Sequence, residues 1–312
     1  MPSNTLDTTL TQISSVTRKY IFKDVADAIS LANPLLFKLK DNQESVDGGD
    51  DIRVPLEVAF NNSFMWYQGA EPLNVSNNDV LFSLVFPWAQ SNVAVSIPGL
   101  DKLKNMGSAR VVDIVKAKME NAKKSINNAF GTGVYSAGTD PKSILGARTF
   151  LSTSNTYGGL SQSTESYIQA KQDTTSTVLS LAAMQTLFEQ ASAPPIKPNF
   201  ITTTATLFSS YHALLTPIQR YTDSKTASGG FDNLLFRSAP VVRDDYCVAS
   251  NMVMWNTDFI KFISHSSRKF PGEMVDFVQP HNQDVSVAHI RWQGQMVCTN
   301  PRFQANFTAL VS

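Results

Sequence analysis

Apolar and polar residues alternate strictly along the chain from residue 52 onward. The apolar members of the run are Ile52, Val54, Leu56, Val58 and Phe60. A period of two puts successive side chains on opposite faces of an extended chain, so this run predicts a β-strand. Turn-forming Asn, Gly and Pro residues follow, and extended segments return at 80–86 and 93–97. Together they predict a β-ribbon of about 50 residues.

This ribbon carries more aromatic surface than two strands can bury between them. Its large rings are Phe64, Trp66, Tyr67, Phe82, Phe86 and Trp88. An isolated two-stranded ribbon is at best marginally stable in water, so a further surface must cover it. That surface is either another protein molecule or the core of the ribbon's own domain, and the pattern alone favours neither.

Residues 108–130 show the clearest helical pattern. Apolar residues recur at spacings of three and four, with Lys and Glu opposite, and Gly131 is expected to end the helix. At about 1.5 Å per residue this helix would be roughly 35 Å long. The apolar stripe consists of Val111, Val115, Met119, Ala122, Ile126 and Ala129.

The rest of the chain predicts a mixture of helices and strands. A short helix at 24–32 is expected to end at Pro34. Alternation of helix and strand is typical of an α/β or α+β domain. Further helices are predicted at 178–191 and 205–215, and strands at 199–203, 234–236, 239–242, 251–255, 285–290, 295–299 and 303–310.

Composition favours extensive protein–protein contact over nucleic-acid recognition. Only 17% of the 312 residues are charged, against about 25% in a typical soluble domain, and charged residues are depleted at the core of interfaces. The net charge is zero, whereas dedicated DNA-binding domains are usually basic. Lysines between 102 and 124 are interspersed with acids and are interpreted as a solvated helix face.

The two cysteines and the absence of a long apolar run indicate in which cellular compartment the protein is expected. Cys247 and Cys298 leave one disulfide possible but form no framework, which fits a reducing cytoplasm. No apolar run approaches the roughly 18 residues of a membrane span, and the N-terminus has no apolar signal core. We therefore expect no membrane partner.

A search for chemistry nominates no catalytic, cofactor-binding or metal-ligating residue. None of the four histidines lies three or four positions from another, and no nucleophile motif is present. The acidic run 47–51 lacks the downstream Glu of a calcium loop and is interpreted as a hinge. Asp244 and Asp245 are interpreted as turn or rim residues, because neighbours on a strand face opposite sides. The sequence thus predicts a non-enzymatic protein without cofactors.

The order of these elements resembles the major capsid proteins of tailed phages, with the Hong Kong 97 type of shell fold. The resemblance spans residues 20–311 and depends on several segments in the family's order. They are the ribbon, IPGLDKLKNMGSARVVDIVKAKMENAKKSINNAFGTG, SILGARTFL, TYGGLSQST, GGFDNLLFRSAPVVRDD, MVMWNTDFIKF and DVSVAHIRWQGQMVCTNPRFQANFTAL.

The resemblance implies an α+β capsid fold in four parts. Residues 1–43 would form an N-terminal arm, and 44–98 an extended β-ribbon loop that lies on a neighbouring subunit. A peripheral domain would combine 99–150, which holds the spine helix, with 270–312. Residues 151–269 would form the axial domain around the capsomer axes.

It also implies partners and a location. Copies would form pentamers and hexamers of an icosahedral virion shell, assembled in the host cytoplasm around double-stranded DNA that is bound without sequence specificity. A portal and in some members a decoration protein would accompany the shell. Subunit contacts are expected at ribbon aromatics, which tend to dominate interface energetics, and in the loop 223–230. The residues are Phe64, Trp66, Tyr67, Trp88, Asp223 and Lys225.

Two departures from the family pattern carry expectations of their own. No lysine occurs between Lys40 and Lys102, so the ribbon should not form the isopeptide weld with a distant Asn that some members make. The arm begins within about 20 residues of Met1, so we expect a separate scaffolding protein.

Two other functions stay open at this point. An encapsulin, the shell protein of a bacterial nanocompartment, shares the fold and would enclose protein cargo instead of DNA. A two-domain hydrolase or sugar-binding protein would need a pocket with convergent polar residues, and no motif nominates one.

Overall fold

The structure is a computed structural model that describes residues 33–75, 80–104, 114–215, 233–270, 272–274 and 277–311. The expected helix at 24–32 lies outside these residues. The helices are α1 (Pro34–Lys40), α2 (Gly99–Lys104), α3 (Ile114–Val134), α4 (Ala147–Phe150), α5 (Leu181–Gln190) and α6 (Ala205–Leu214).

Fifteen strands are assigned within the described residues. They are β1 (Gln43–Val46), β2 (Ile52–Glu57), β3 (Leu81–Phe86), β4 (Ala89–Pro98), β5 (Thr156–Tyr157), β6 (Leu160–Ser161), β7 (Lys171–Asp173), β8 (Phe200–Thr203), β9 (Asn233–Phe236), β10 (Ala239–Arg243), β11 (Met252–Trp255), β12 (Ile260–His265), β13 (Glu273–Met274), β14 (Val285–Cys298) and β15 (Ala305–Phe307).

The first large sheet is organised by β14, which is 14 residues long. β4 pairs antiparallel along one side of it, from Pro98 opposite Val285 to Ala89 opposite Gly294. On the other side β14 pairs with β12 and then with β13. β1 completes the sheet by pairing parallel with β12. The spine helix α3 packs against this sheet through Phe130, whose ring contacts Phe262 and Trp292.

The second large sheet has six strands in the order β7–β15–β11–β8–β10–β9 and separates two hydrophobic cores. Along β11, Met252 and Met254 face the core that α5 and α6 cover. Val253 and Trp255 face the core shared with the first sheet. Successive side chains of β11 thus alternate between two faces, as in any strand. Because both faces are buried, all four residues are apolar and the sequence shows no alternation of apolar and polar residues.

The ribbon is shorter than the sequence predicts. Its ladder consists of β2 and β3, six residues each, from Ile52 opposite Phe86 to Glu57 opposite Leu81. The segment 93–97, assigned to the ribbon from its pattern, belongs instead to β4 in the first sheet. The prediction was wrong because alternation identifies a strand but not its partner.

The base of the ribbon is held by its own subunit. Leu84 and Phe86 are fully buried, and the Phe86 ring lies 5.1 Å from that of Tyr157. The Gly158 carbonyl accepts a hydrogen bond from the Val85 N–H at 3.1 Å. A Cβ on Gly158 would come within 2.7 Å of the Leu84 Cβ, and its φ of +56° also favours glycine.

The spine helix continues past the glycine expected to end it. α3 runs through Gly131 to Val134, while residues 108–113 of the predicted helix lie outside the described residues. A Cβ on Gly131 would come within 2.8 Å of the Tyr246 ring and 2.5 Å of Asn33 Nδ2. Gly131 therefore permits close packing at this position instead of ending the helix.

Proline 34 begins the helix α1, while the helix that was expected to end before it lies outside the described residues. It occupies the first position of α1, where its missing N–H costs nothing. The Asn33 side chain caps the helix by accepting a hydrogen bond from the Leu36 N–H at 3.1 Å. Leu35, Leu36 and Leu39 are then buried in the shared core.

Asp244 connects three distant parts of the chain. Its carboxylate accepts hydrogen bonds from the Tyr246 N–H at 2.9 Å, from the Tyr135 hydroxyl at 3.0 Å and from the Leu35 N–H at 3.4 Å. Burial, with a smaller contribution from Asp245, raises the pKa of the Asp244 carboxyl to about 6, although the three hydrogen bonds act to lower it. Asp244 is thus buried at a junction, not at a rim, whereas Asp245 pairs with Arg243 at the surface.

Sheet membership divides the chain differently from the expected boundaries. β12 lies within the expected axial segment 151–269, yet it pairs with β14 in the first sheet. β15 lies within the expected peripheral segment, yet it pairs with β11 in the second. The long strand β14 needs partners on both sides, and β12 supplies one. Within the described residues, no helix is both long and apolar enough to cross a membrane.

The buried base of the ribbon gives a first prediction. Phe86→Ala should lower the free energy of unfolding of the monomer by about 3–5 kcal/mol, because it empties a closely packed site. Phe82→Ala, on the same ribbon, is the control and should cost less than about 1 kcal/mol, because that ring is about half exposed. Urea titration of both variants measures the difference, and equal losses would contradict a buried base.

Asp244 gives a second prediction, on pH. Its folded pKa lies above its ordinary value near 4, so ionisation opposes folding, and this cost is fully present above about pH 6 and absent below about pH 4. Asp244→Asn removes the cost. Relative to wild type, the variant should gain up to about 3 kcal/mol of stability as the pH rises from 4 to 7.

Urea titrations across that range measure the gain. Asp245→Asn is the control and should show a much smaller change, because its ion pair is at the surface. A stability difference between Asp244→Asn and wild type that does not vary with pH would contradict the assignment.

Candidate assembly surface

The tip of the ribbon extends beyond the β2–β3 ladder without a core of its own. Residues 58–75 form no strand, and one backbone hydrogen bond, from the Val58 N–H to the Val80 carbonyl at 2.9 Å, continues the ladder. Large apolar side chains are nevertheless concentrated here and at the end of β3. The exposed ones are Phe60, Phe64, Trp66, Tyr67, Leu73, Val75 and Leu81.

This exposure is unusual for side chains of this size. Trp66 is 89% exposed and Phe60 91%. Scattered exposed apolar residues are normal, but a contiguous group of them marks an interaction surface. We call the residues 58–75 the ribbon tip, and its exposed rings are the main candidate contacts of this protein.

Residues 64–67 of the ribbon tip form no strand, and their backbone has no hydrogen bond with the residues that the structure describes. The Phe64 and Trp66 rings lie 5.4 Å apart in an edge-to-face arrangement, as side chains two positions apart on an extended chain can do. The structure gives no hydrogen bond to the backbone of residues 64–67 from any described residue. Backbone groups of this kind pair readily with another strand.

The expected contact residues occupy different environments. Phe64, Trp66 and Tyr67 are together on the ribbon tip. Trp88 is partly buried against its own subunit, where its indole N–H donates to the Gly49 carbonyl at 3.0 Å and its ring lies 6.2 Å from that of His265. Asp223 and Lys225 lie outside the described residues.

Trp88 was expected to be a contact residue, and Phe86 was counted among the large rings of the ribbon. Phe86 is fully buried, and Trp88 packs on the shared core. Both lie at the base of the ribbon, where the chain enters its own domain. The pattern of aromatic residues does not distinguish the base of a ribbon from its tip.

A further pair of exposed apolar residues was not predicted from the sequence. Leu100 and Leu103, on α2, are both more than half exposed. The surrounding lysines were interpreted as a solvated face, which they also form. The spacing of three between the two leucines was the signal that could have identified an apolar stripe.

The described residues offer little for catalysis or metal binding. No cluster of three His, Cys, Asp or Glu side chains is present among them. Cys247 and Cys298 are buried free thiols, so the structure has no disulfide between them. Burial raises the pKa of the Cys298 thiol to about 12.

A cavity of about 370 Å³ lies between α4 and the second sheet. Its polar lining includes Arg148, Asn155 and Asn251 but no histidine, cysteine or carboxylate. The hydroxyl groups in the lining, such as that of Ser152, therefore have no histidine or carboxylate beside them in the cavity to act as a general base.

Solved structures of shell proteins are similar over nearly the whole chain. A cyanophage A-1(L) capsid subunit has a TM-score of 0.70 at 14% identity, over 96% of this chain and 98% of that chain. The capsid of a native GTA particle has a TM-score of 0.66 at 10% identity, over 95% and 96%. The SrpI encapsulin from Synechococcus elongatus PCC 7942 has a TM-score of 0.61 at 9% identity, over 96% and 95%.

No family model matches the sequence, and no curated protein does. At 14% identity or less, likeness of structure establishes the fold and leaves the function to be argued from the surface. The similar structures include phage capsids and a compartment shell, and they match almost end to end. The chain therefore has the α+β capsid fold of the Hong Kong 97 type, as its sequence predicted.

Proposed function

We propose that this chain is the major capsid protein of a tailed phage, a structural subunit that assembles into pentamers and hexamers of an icosahedral shell around double-stranded DNA. The observation that carries the proposal is the ribbon tip, whose large apolar side chains are exposed in the single subunit. Burying such side chains is worth roughly 1.5–3 kcal/mol each. A second subunit provides the surface that the ribbon's own domain does not.

Contacts of this geometry favour closed rings of subunits. The ribbon tip of one copy docks on a different patch of the next, and a contact between unlike patches repeats around an axis until it closes. Residues of the loop 223–230, with Asp223 and Lys225, are proposed to contribute contacts around that axis. Trp88 would contribute from the base of the ribbon.

The remaining partners follow from the same proposal. The shell is assembled in the host cytoplasm on a separate scaffolding protein, incorporates a portal and in some cases a decoration protein, and resides in the virion. The subunit itself is structural and not an enzyme. Its net charge of zero fits a shell that encloses DNA without recognising its sequence.

The enclosed material distinguishes a phage shell from an encapsulin. Particles isolated from the cells that produce this chain should protect double-stranded DNA from added nuclease. Gel analysis of the nucleic acid before and after opening the particles measures the protection. Particles that instead contain a copurified enzyme and no protected DNA would contradict the phage assignment and favour the compartment shell.

The exposed ring of Trp66 gives a prediction about assembly. Trp66→Ala should weaken subunit association by about 2 kcal/mol per contact, roughly 30-fold, because aromatic anchors dominate interfaces. Trp66→Phe keeps an aromatic ring and is the control, with a smaller loss. Light scattering and electron microscopy measure particle yield, and urea titration measures the monomer.

The stability of the monomer decides how the result is interpreted. Trp66→Ala should leave the free energy of unfolding within about 0.5 kcal/mol of wild type, as surface substitutions usually do. A loss of monomer stability as large as the loss of association would place Trp66 in an internal core and contradict the proposal.

A further inference from the structure

The cavity between α4 and the second sheet contains a buried polar side chain without a partner. Asn306 of β15 is part of its lining. This residue is only 4% exposed, and its Oδ1 accepts no hydrogen bond from any residue that the structure describes. Buried polar atoms are nearly always paired, because leaving one unpaired is costly. An unpaired acceptor in the wall of a cavity suits a donor that comes from outside the chain.

The strand register directs the Asn306 side chain towards the cavity. Asn306 is paired with Val253 of β11 and with Gln172 of β7, and side chains paired in this way lie on the same face of a sheet. Both of these residues line the cavity. The neighbours of Asn306 along its strand, Ala305 and Phe307, face the opposite core.

An asparagine gives the fold little at this position. Asn is depleted in strands, and an apolar residue here would extend the apolar surface that Val253 and Trp255 present to the shared core. The amide of Asn306 is therefore explained better by a ligand than by packing within the subunit.

The opposite wall of the cavity supplies a positive charge. Arg148 of α4 lines the cavity and is exposed, whereas Asn306 is buried, so the charge lies at the mouth and the unpaired acceptor at the floor. Among the residues that the structure describes, Arg148 forms no ion pair. Asn155 also lines the cavity, and its Nδ2 donates to the Arg148 carbonyl at 3.5 Å. The guanidinium of Arg148 is thus available to an anionic group.

The composition of the lining indicates which chemical class fits. Besides Arg148, its polar side chains are neutral amides and hydroxyls, and they include Ser152, Asn155, Gln172, Asn251, Asn306 and Thr308. Amides both donate and accept hydrogen bonds, as the hydroxyl groups of a ligand do. A ligand amine would be protonated, would find no carboxylate in this lining and would be repelled by Arg148. The donor for Asn306 is therefore a hydroxyl, and the partner of Arg148 is a phosphate or a carboxylate.

We propose that this cavity binds an anionic monosaccharide, a sugar phosphate or a sugar acid, whose anionic group pairs with Arg148 at the mouth and one of whose hydroxyls donates to the Asn306 Oδ1 at the floor. The cavity volume of about 370 Å³ suits a small ligand, since ligand pockets usually measure about 300–1,000 Å³. Such a ligand connects α4 to the second sheet and stabilises the folded subunit. The inference concerns the single subunit and does not depend on the shell function.

Isothermal titration calorimetry of the full chain with glucose 6-phosphate and with glucuronate tests the site. At least one of the two should bind saturably, with one site per chain. It should bind about tenfold or more tighter than glucose, which lacks the anionic group, or inorganic phosphate, which lacks the ring hydroxyls. The same ligand should raise the midpoint of thermal unfolding. Absence of saturable binding by both anions, or equally tight binding of glucose or phosphate, would overturn the proposal.

A substitution at the mouth of the cavity locates the binding site. Arg148→Ala should weaken binding about tenfold or more, as the loss of a hydrogen bond to a charged group implies. Arg302→Ala is the matched control and should bind like wild type, because Arg302 is exposed and lies outside the lining. Binding that Arg148→Ala leaves unchanged would place the ligand elsewhere and contradict the proposal.

A substitution at the floor separates a binding role from a structural one. Asn306→Leu keeps the branched shape and removes the polar atoms, so the unliganded variant should unfold at the same temperature as wild type or higher. Its binding should weaken about fivefold or more. A merely structural asparagine would give the reverse, a lower unfolding temperature with unchanged binding. If Asn306→Leu fails to fold, the comparison of Arg148→Ala with Arg302→Ala still decides the question.

Discussion

The rest of the structure depends on the unequal burial of one β-ribbon. At its base, Leu84 and Phe86 lie in the core of their own subunit, and Gly158 allows the chain to approach them closely. Beyond Glu57 that support ends, and the tip exposes Trp66 and its neighbours to water. The hydrophobic effect therefore fixes the direction of the ribbon within the subunit and favours burial of its tip elsewhere.

Much of the fold could be predicted from the sequence, because the period of two and the helical spacing report local structure directly. The helix at α5 and the strand at β8 occur within a few residues of their predicted bounds. Partners in the sheets could not be predicted, so β4 was assigned to the ribbon and β14 was divided into two strands. Gly131 was misinterpreted as a helix end, since the close approach that requires a glycine there is set by tertiary neighbours.

The contact residues, too, could be predicted only in part from the sequence. Aromatic composition nominated Phe64, Trp66 and Tyr67, which are exposed, but it also nominated Trp88, which packs on its own subunit. Burial depends on where the ribbon meets its domain, and that position is a property of the fold. The pairing of β4 with β14 could not be recognised from the sequence, because it depends on the register of two strands far apart in the chain.

The ribbon tip, residues 58–75, is proposed to be completed by another copy of the chain. An electron cryomicroscopy map of the assembled particle tests it most directly. The account predicts that the rings of this segment lie on a neighbouring subunit, out of contact with the body of their own. A map in which the segment folds back entirely onto its own subunit, touching no sister chain, would contradict it.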